Sequence, residues 1–158
     1  MVEALKKKIS KRILIIVTVI TPLLLGGVGL SSCSLHHDDS GDLGGYWHLT
    51  GIDTLATSGH CDMSKVSVFW SVQGAILEAR DVDKEEFVMF RYNRENSILS
   101  LYDARYNNRN IGDEQITDVA VLQPYGINKL EESFTVEALS SSRMILRSDM
   151  LKLYFKKF

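Results

Sequence analysis

From Gly44 onward the chain is cut into short runs in which apolar and polar side chains alternate, each ended by a cluster of Gly, Asn, Asp or Ser. Period-two alternation fits a strand with one buried and one wet face, and turn clusters at roughly 8–12-residue spacing fit an all-β sandwich or barrel. The runs are residues 45–52, 65–73, 75–80, 86–92, 97–102, 133–139, 143–147 and 151–156. In the second, Val66, Val68, Trp70 and Val72 share a face, with Ser67, Ser71 and Gln73 opposite and Phe69 expected to meet a partner or a covering loop. In the fourth, Val88, Phe90 and Tyr92 oppose Phe87, Met89 and Arg91. The last points Leu151, Leu153 and Phe155 inward, and its outward Lys152 and Lys156 discourage edge pairing. Strands joined by tight turns are antiparallel, and eight of them in chain order can close into an up-and-down barrel. At that number the interior is filled by side chains or holds one small ligand. The period breaks once, over residues 114–122, where Ile116, Val119, Ala120 and Leu122 form a helical stripe that Asp113 or Thr117 can cap and Pro124-Tyr125-Gly126 ends. One short helix is therefore expected between strands five and six.

The N-terminal third has another grammar. Lys6, Lys7, Lys8, Lys11 and Arg12 precede an apolar run from Ile13 to Leu30, which closes on Leu30-Ser31-Ser32-Cys33. Charge, then apolar residues, then small residues is the order of a secretory signal. Residues 13–25 are too short to span a bilayer, which takes about 20 apolar residues, and Pro22 with Gly26, Gly27 and Gly29 would spoil a longer helix. The closing tetrapeptide resembles the lipobox of bacterial lipoproteins. That resemblance implies a signal peptide over residues 1–32, acylation of Cys33 with palmitate-type chains, and a membrane-held protein. Ser34 in place of an aspartate implies the outer membrane, on its periplasmic or cell-surface face. Residues 34–42, with Asp38, Asp39 and Asp42, look like the acidic export tracts of Bacteroidetes lipoproteins; a solvated tether over residues 33–43 accounts for them equally.

Removing residues 1–32 leaves 126, enough for one domain over residues 44–158. Five of the 18 basic and one of the 20 acidic side chains go with the leader, leaving 13 against 19, a net −6. Such a domain lacks the basic stripe that nucleic acid requires. With Cys33 acylated, Cys61 has no intrachain partner, and a buried small residue is the expected role.

Gly45-Tyr46-Trp47 opens the first strand. This Gly-x-Trp resembles the motif that begins lipocalins, and with the strand count and lipobox the chain resembles the small lipocalin-like lipoproteins of Bacteroidetes. The resemblance implies that Gly45 and Trp47 plug the barrel base, and Thr117-Asp118 is similar to part of the family's second motif. Barrel size and the inward apolar groups lead to the expectation of a small apolar or amphipathic ligand held at the open mouth of the barrel.

Val68, Trp70, Phe90 and Phe134 are the expected ligand-lining side chains. No Gly-x-Ser-x-Gly, His-Glu-x-x-His or phosphate-loop motif is present, so a non-enzyme without cofactor or metal is expected. His60-Cys61-Asp62 has the wrong spacing for one ion, and His36-His37 with Asp38-Asp39 reads as tether. His48 lies alone in a strand, and Glu85-Glu86 and Glu131-Glu132 read as solvated turn ends. The competing expectation to ligand binding is an accessory subunit that meets another envelope protein through Phe69, Phe87 and Met89 or the loop at residues 103–113.

Overall fold

A computed structural model of the chain describes residues 40–107 and 112–158. Nine strands follow in order: β1 (Gly45–Thr54), β2 (Gly59–Asp62), β3 (Val68–Gln73), β4 (Ile76–Asp81), β5 (Glu86–Glu95), β6 (Ile98–Tyr106), β7 (Glu132–Leu139), β8 (Arg143–Arg147) and β9 (Leu151–Lys157). All neighbours are antiparallel, and β9 returns to β1, so β1 and β3–β9 form a closed eight-stranded barrel. Closure leaves those strands no free edge.

The ninth strand is β2, which the sequence reading did not anticipate. The first half of β1 pairs β3 (Gly45↔Val72 to His48↔Phe69), whereas its second half pairs β2 (Gly51↔Asp62 to Thr54↔Gly59). All four residues of β2 are exposed. A strand with no buried face leaves no alternation to read.

The extra strand also corrects the helix. It does not sit between β5 and β6; the helical residues come after β6, before β7. Nor do they form an α-helix over residues 114–122. Residues 114–116 are extended and continue the ladder on β6, with Tyr106 N donating to Glu114 O at 2.9 Å and Ile116 N to Ala104 O at 2.9 Å. Two consecutive 3₁₀ turns follow, Val119–Val121 and Gln123–Tyr125. Asp118 caps the first through Oδ1, which accepts from Ala120 N at 2.9 Å. Gly126 ends the second at φ 81°, and a Cβ there would lie 2.7 Å from Leu153 Cδ2.

The connection caps one rim of the barrel, with Ile116, Leu122, Tyr125 and Ile127 buried. At the opposite rim, where β1 starts and β9 ends, the 3₁₀ turn Gly41–Leu43 seats Leu43, which is fully buried and so packs with the domain rather than with the tether. These are called below the capped rim and the N-terminal rim. Between them the inward side chains pack on one another. Trp70 stands 4.9 Å from Phe155 and edge-on to Phe134 at 5.9 Å. Its Nε1 donates to Tyr125 O at 3.2 Å, which ties barrel to cap. Within this closed barrel Asp103, at φ 53°, marks a bulge in β6 opposite Met89 and Arg91. Among the described residues no helix is long and apolar enough to cross a membrane.

Candidate functional site, a cleft at the capped rim

The cap does not lie flush on the wall. Between the 3₁₀ turns and the β4–β5 corner an open cleft of about 900 Å³ remains. Its apolar sides are Val82 and Phe87 on the wall and Ala120, Val121 and Pro124 on the cap. Tyr125 forms the floor, its hydroxyl donating to Glu86 O at 3.3 Å. Burial, then the nearby Glu86 and Asp81 charges, push that phenol up to about 12, so it stays neutral.

Two polar features sit on the sides. On β4 Arg80 donates from Nε to Glu78 Oε1 at 2.8 Å, and Asn107 Nδ2 donates to Glu78 Oε2. Arg80 also lies 5.2 Å over the Phe87 ring. Its charge is thus already matched by Glu78. One rung further along the ladder Glu85 and Glu86 meet the cleft from the β4–β5 corner. Glu85 sits at φ 57°. Asp81 holds the corner by accepting from Lys84 N at 3.3 Å and Lys84 Nζ at 2.9 Å. The site is therefore a trough of mixed polar and apolar surface whose unmatched charge is negative. Such a mixture suits binding, since small-ligand sites are mostly apolar with a few polar fixers.

The residues expected to line a ligand are elsewhere. Val68, Trp70, Phe90 and Phe134 are at most 1% exposed and lie in the packed core, and none lines the cleft. Trp47 is fully buried at the N-terminal rim, and its Nε1 donates to Leu43 O at 2.8 Å. Lys157 crosses over Gly45 to reach the Trp47 ring (4.8 Å) and Gly44 O (2.7 Å). A Cβ on Gly45, at φ 124°, would lie 2.6 Å from Lys157 Cε. Phe69 is covered on the outer wall by Tyr46, stacked at 4.7 Å, and by His48 at 4.8 Å. Phe87 faces the cleft, whereas Met89 does not line it. Val66 is 37% exposed and leaves the inward face to Val68, Trp70 and Val72. Cys33, residues 1–39 and part of the 103–113 loop lie outside the described residues.

Two sequence expectations are corrected. Cys61 is exposed, because it belongs to β2, which has no buried face. Glu132 is not a solvated turn end: it points inward with Phe134 and is 2% exposed. Its Oε2 accepts from Asn128 N at 2.6 Å, while Oε1 has no partner among the described residues. Burial raises its carboxyl above the ordinary range, and bonds from the 128–132 turn and Ser148 only partly offset this. His60 bonds Asp53 at 2.6 Å, and Tyr154 donates to the same carboxylate at 2.6 Å, so that trio is closed on itself. Among the described residues no three His, Cys, Asp or Glu side chains converge on a possible metal position.

Sequence reasoning missed Tyr125, Val121 and Pro124 as site residues. Pro124-Tyr125-Gly126 was legible only as a stop signal, because a cleft built by an irregular segment has no period.

A family model described as a lipocalin-like domain matches residues 28–158. A lipocalin-like protein from Bacteroides uniformis is similar at 23% identity and a TM-score of 0.54, covering 75% of this chain and 100% of that one. An uncharacterized protein from Bacteroides eggerthii is similar at 18% identity and a TM-score of 0.52, covering 73% and 98%. No curated protein matches the sequence. At these identities the two structures speak to the fold.

Proposed function

The chain belongs to the lipocalin-like domain family, and from that premise we propose that it binds a small amphipathic ligand at the capped rim rather than in the middle of the barrel. The observation that carries this reading is the cleft between cap and wall, with Phe87, Val121 and Pro124 offering apolar surface and Glu85 and Glu86 offering acceptors. The ligand would lay its apolar part between the 3₁₀ turns and β5, and turn a donor or cationic group to the acids. Neutral Tyr125 would add one polar contact at the floor.

The test compares a dansyl alkylamine with a dansyl alkanoate of equal length by fluorescence titration. The amine is expected to bind and the alkanoate to bind more weakly. Ala120→Trp should fill the trough from its exposed side and abolish binding without lowering the melting temperature. Equal binding by that variant, or binding of neither probe, overturns the reading.

The second element of the proposal is anchorage. The leader order and the Leu30-Ser31-Ser32-Cys33 ending support acylation of Cys33 and residence at the outer membrane. Each buried CH₂ of an acyl chain contributes about 0.8 kcal/mol, so more than one chain holds far more firmly than one. Cys33→Ser should lose labelled palmitate and leave the membrane fraction; retention of both would refute the anchor.

A further inference from the structure

The barrel strands are paired on both flanks, but among the described strands β2 has a neighbour on one side only, β1. The ladder tells which backbone groups it leaves over. Met63 N donates to Thr50 O at 3.1 Å, one rung beyond Asp62↔Gly51. Hydrogen-bonded and non-bonded rungs alternate in an antiparallel ladder. Gly59 and Cys61 therefore turn their N–H and C=O toward β1, whereas His60 and Asp62 turn theirs outward. Among the described residues no other strand or loop pairs with those outward groups. All four residues of β2 are exposed, and the edge carries no proline, lysine or bulge of the kind that blocks pairing.

This edge is complementary to itself. A second β2 laid antiparallel about a twofold axis at Cys61 sets His60 opposite Asp62 of the second copy, and Asp62 opposite its His60. Both rungs are of the hydrogen-bonded kind, so every outward N–H and C=O of the two strands finds a partner. His60 and Asp62 also share a face of the strand, so each rung sets an imidazole against a carboxylate. Asp53 Oδ1 holds His60 Nδ1 at 2.6 Å, which leaves the ring's Nε2 for the second copy. Asp62 Oδ1 accepts from Ser64 N at 2.9 Å, which steadies that carboxylate. The acid behind His60 is met within its own copy, since Tyr154 donates to Asp53 Oδ2 at 2.6 Å. The neighbouring registers are poorer. An axis at Asp62 opposes two carboxylates, and an axis at His60 sets Asp62 against Ser58, which lies outside the strand at φ 54°.

We infer that the outer edge of β2 docks a second copy of this chain, joining two barrels through a continuous β1-β2-β2-β1 sheet. The contact is isologous, the same patch serving both copies. Four residues make a short edge, so the pair forms where copies are concentrated rather than in dilute solution. Cys61 reports the register. It sits on the central, non-bonded rung, where facing Cα atoms lie about 4.5 Å apart, within the range of about 4.4–6.8 Å that a disulfide spans.

The test uses the full-length protein at high concentration with oxidised glutathione. A Cys61 thiolate attacks the glutathione disulfide and expels one glutathione thiol; Cys61 of the second copy displaces the other. Two protein thiols are thus oxidised to one disulfide, and one glutathione disulfide is reduced to two thiols. Mass spectrometry of the linked peptides separates a Cys61–Cys61 bond from any bond through Cys33. That bond should form several-fold faster in the parent than in Asp62→Lys or His60→Asp, each of which removes the opposite-charge rungs. Mixing the two variants should restore the rate, because each supplies the charge the other lacks. Equal rates in parent and variants, or no gain on mixing, overturn the self-pairing. Amide exchange gives a check that needs no variant. Raising the concentration should slow exchange at His60 and Asp62, whose N–H groups face out, and leave Cys61 unchanged; no slowing at those two amides overturns the inference.

Discussion

At the scale of single residues, Trp47 and Glu132 behave oppositely. Trp47 fills the N-terminal rim with its only polar atom satisfied by Leu43 O, so its removal leaves a hole. Trp47→Ala should cost about 3–5 kcal/mol, measured by denaturant melts. Glu132 is a cost the native state carries. Its carboxyl is raised above the ordinary 4.5, first by burial. Both folded and unfolded chains hold the proton below that value, so the group takes nothing from stability in acid; above it, the unfolded chain ionises freely and the folded one does not. Stability is therefore lost as pH rises through the folded value, by about 1.4 kcal/mol for each unit of displacement. Glu132→Gln should melt higher than the parent at neutral pH and lose its advantage below pH 4.5. An advantage that persists unchanged into acid would show that ionisation is not the cause. Neither behaviour is visible in the sequence: a Glu beside a Glu at a strand start looks wet until the inward phase of β7 is known.

At the scale of elements, legibility follows burial. The barrel strands announce themselves because each has one dry face, and the alternation of Val88 and Phe90 against Phe87 and Met89 is repeated in the structure as buried against half-buried. β2 has no dry face and stays silent. The cap misleads for a different reason. Ile116 and Leu122 are buried as a helix stripe would have them, but residues 114–116 spend their backbone groups on β6, and so cannot turn. Tertiary pairing overrides local spacing there. The cleft exists because this irregular segment stands off the wall, so its position was unreadable although Phe87 was recognisable as outward. The cap's own integrity rests partly on Asp118. Asp118→Ala should cost about 1 kcal/mol and speed amide exchange at Ala120, as loss of a capping acceptor does.

At the scale of the whole molecule, ring closure and a shared core predict one cooperative unit. Trp70 touches Phe134 and Phe155 across the interior and bonds the cap through Tyr125 O. Far-UV circular dichroism and tryptophan fluorescence should therefore report a single coincident unfolding transition. Separate midpoints would mean that the cap opens before the barrel.

The way β1 shares its outer flank between β3 and β2 has a consequence for engineering and for drift among relatives. Since β9 secures the other flank of β1 through residues 47–54, the exposed excursion from Ala56 to Asp62 hangs outside the hoop like a pleat in a sleeve. Extra length, a purification epitope or a fluorophore on the native Cys61 thiol can be sewn into that pleat while the hoop itself stays drawn tight.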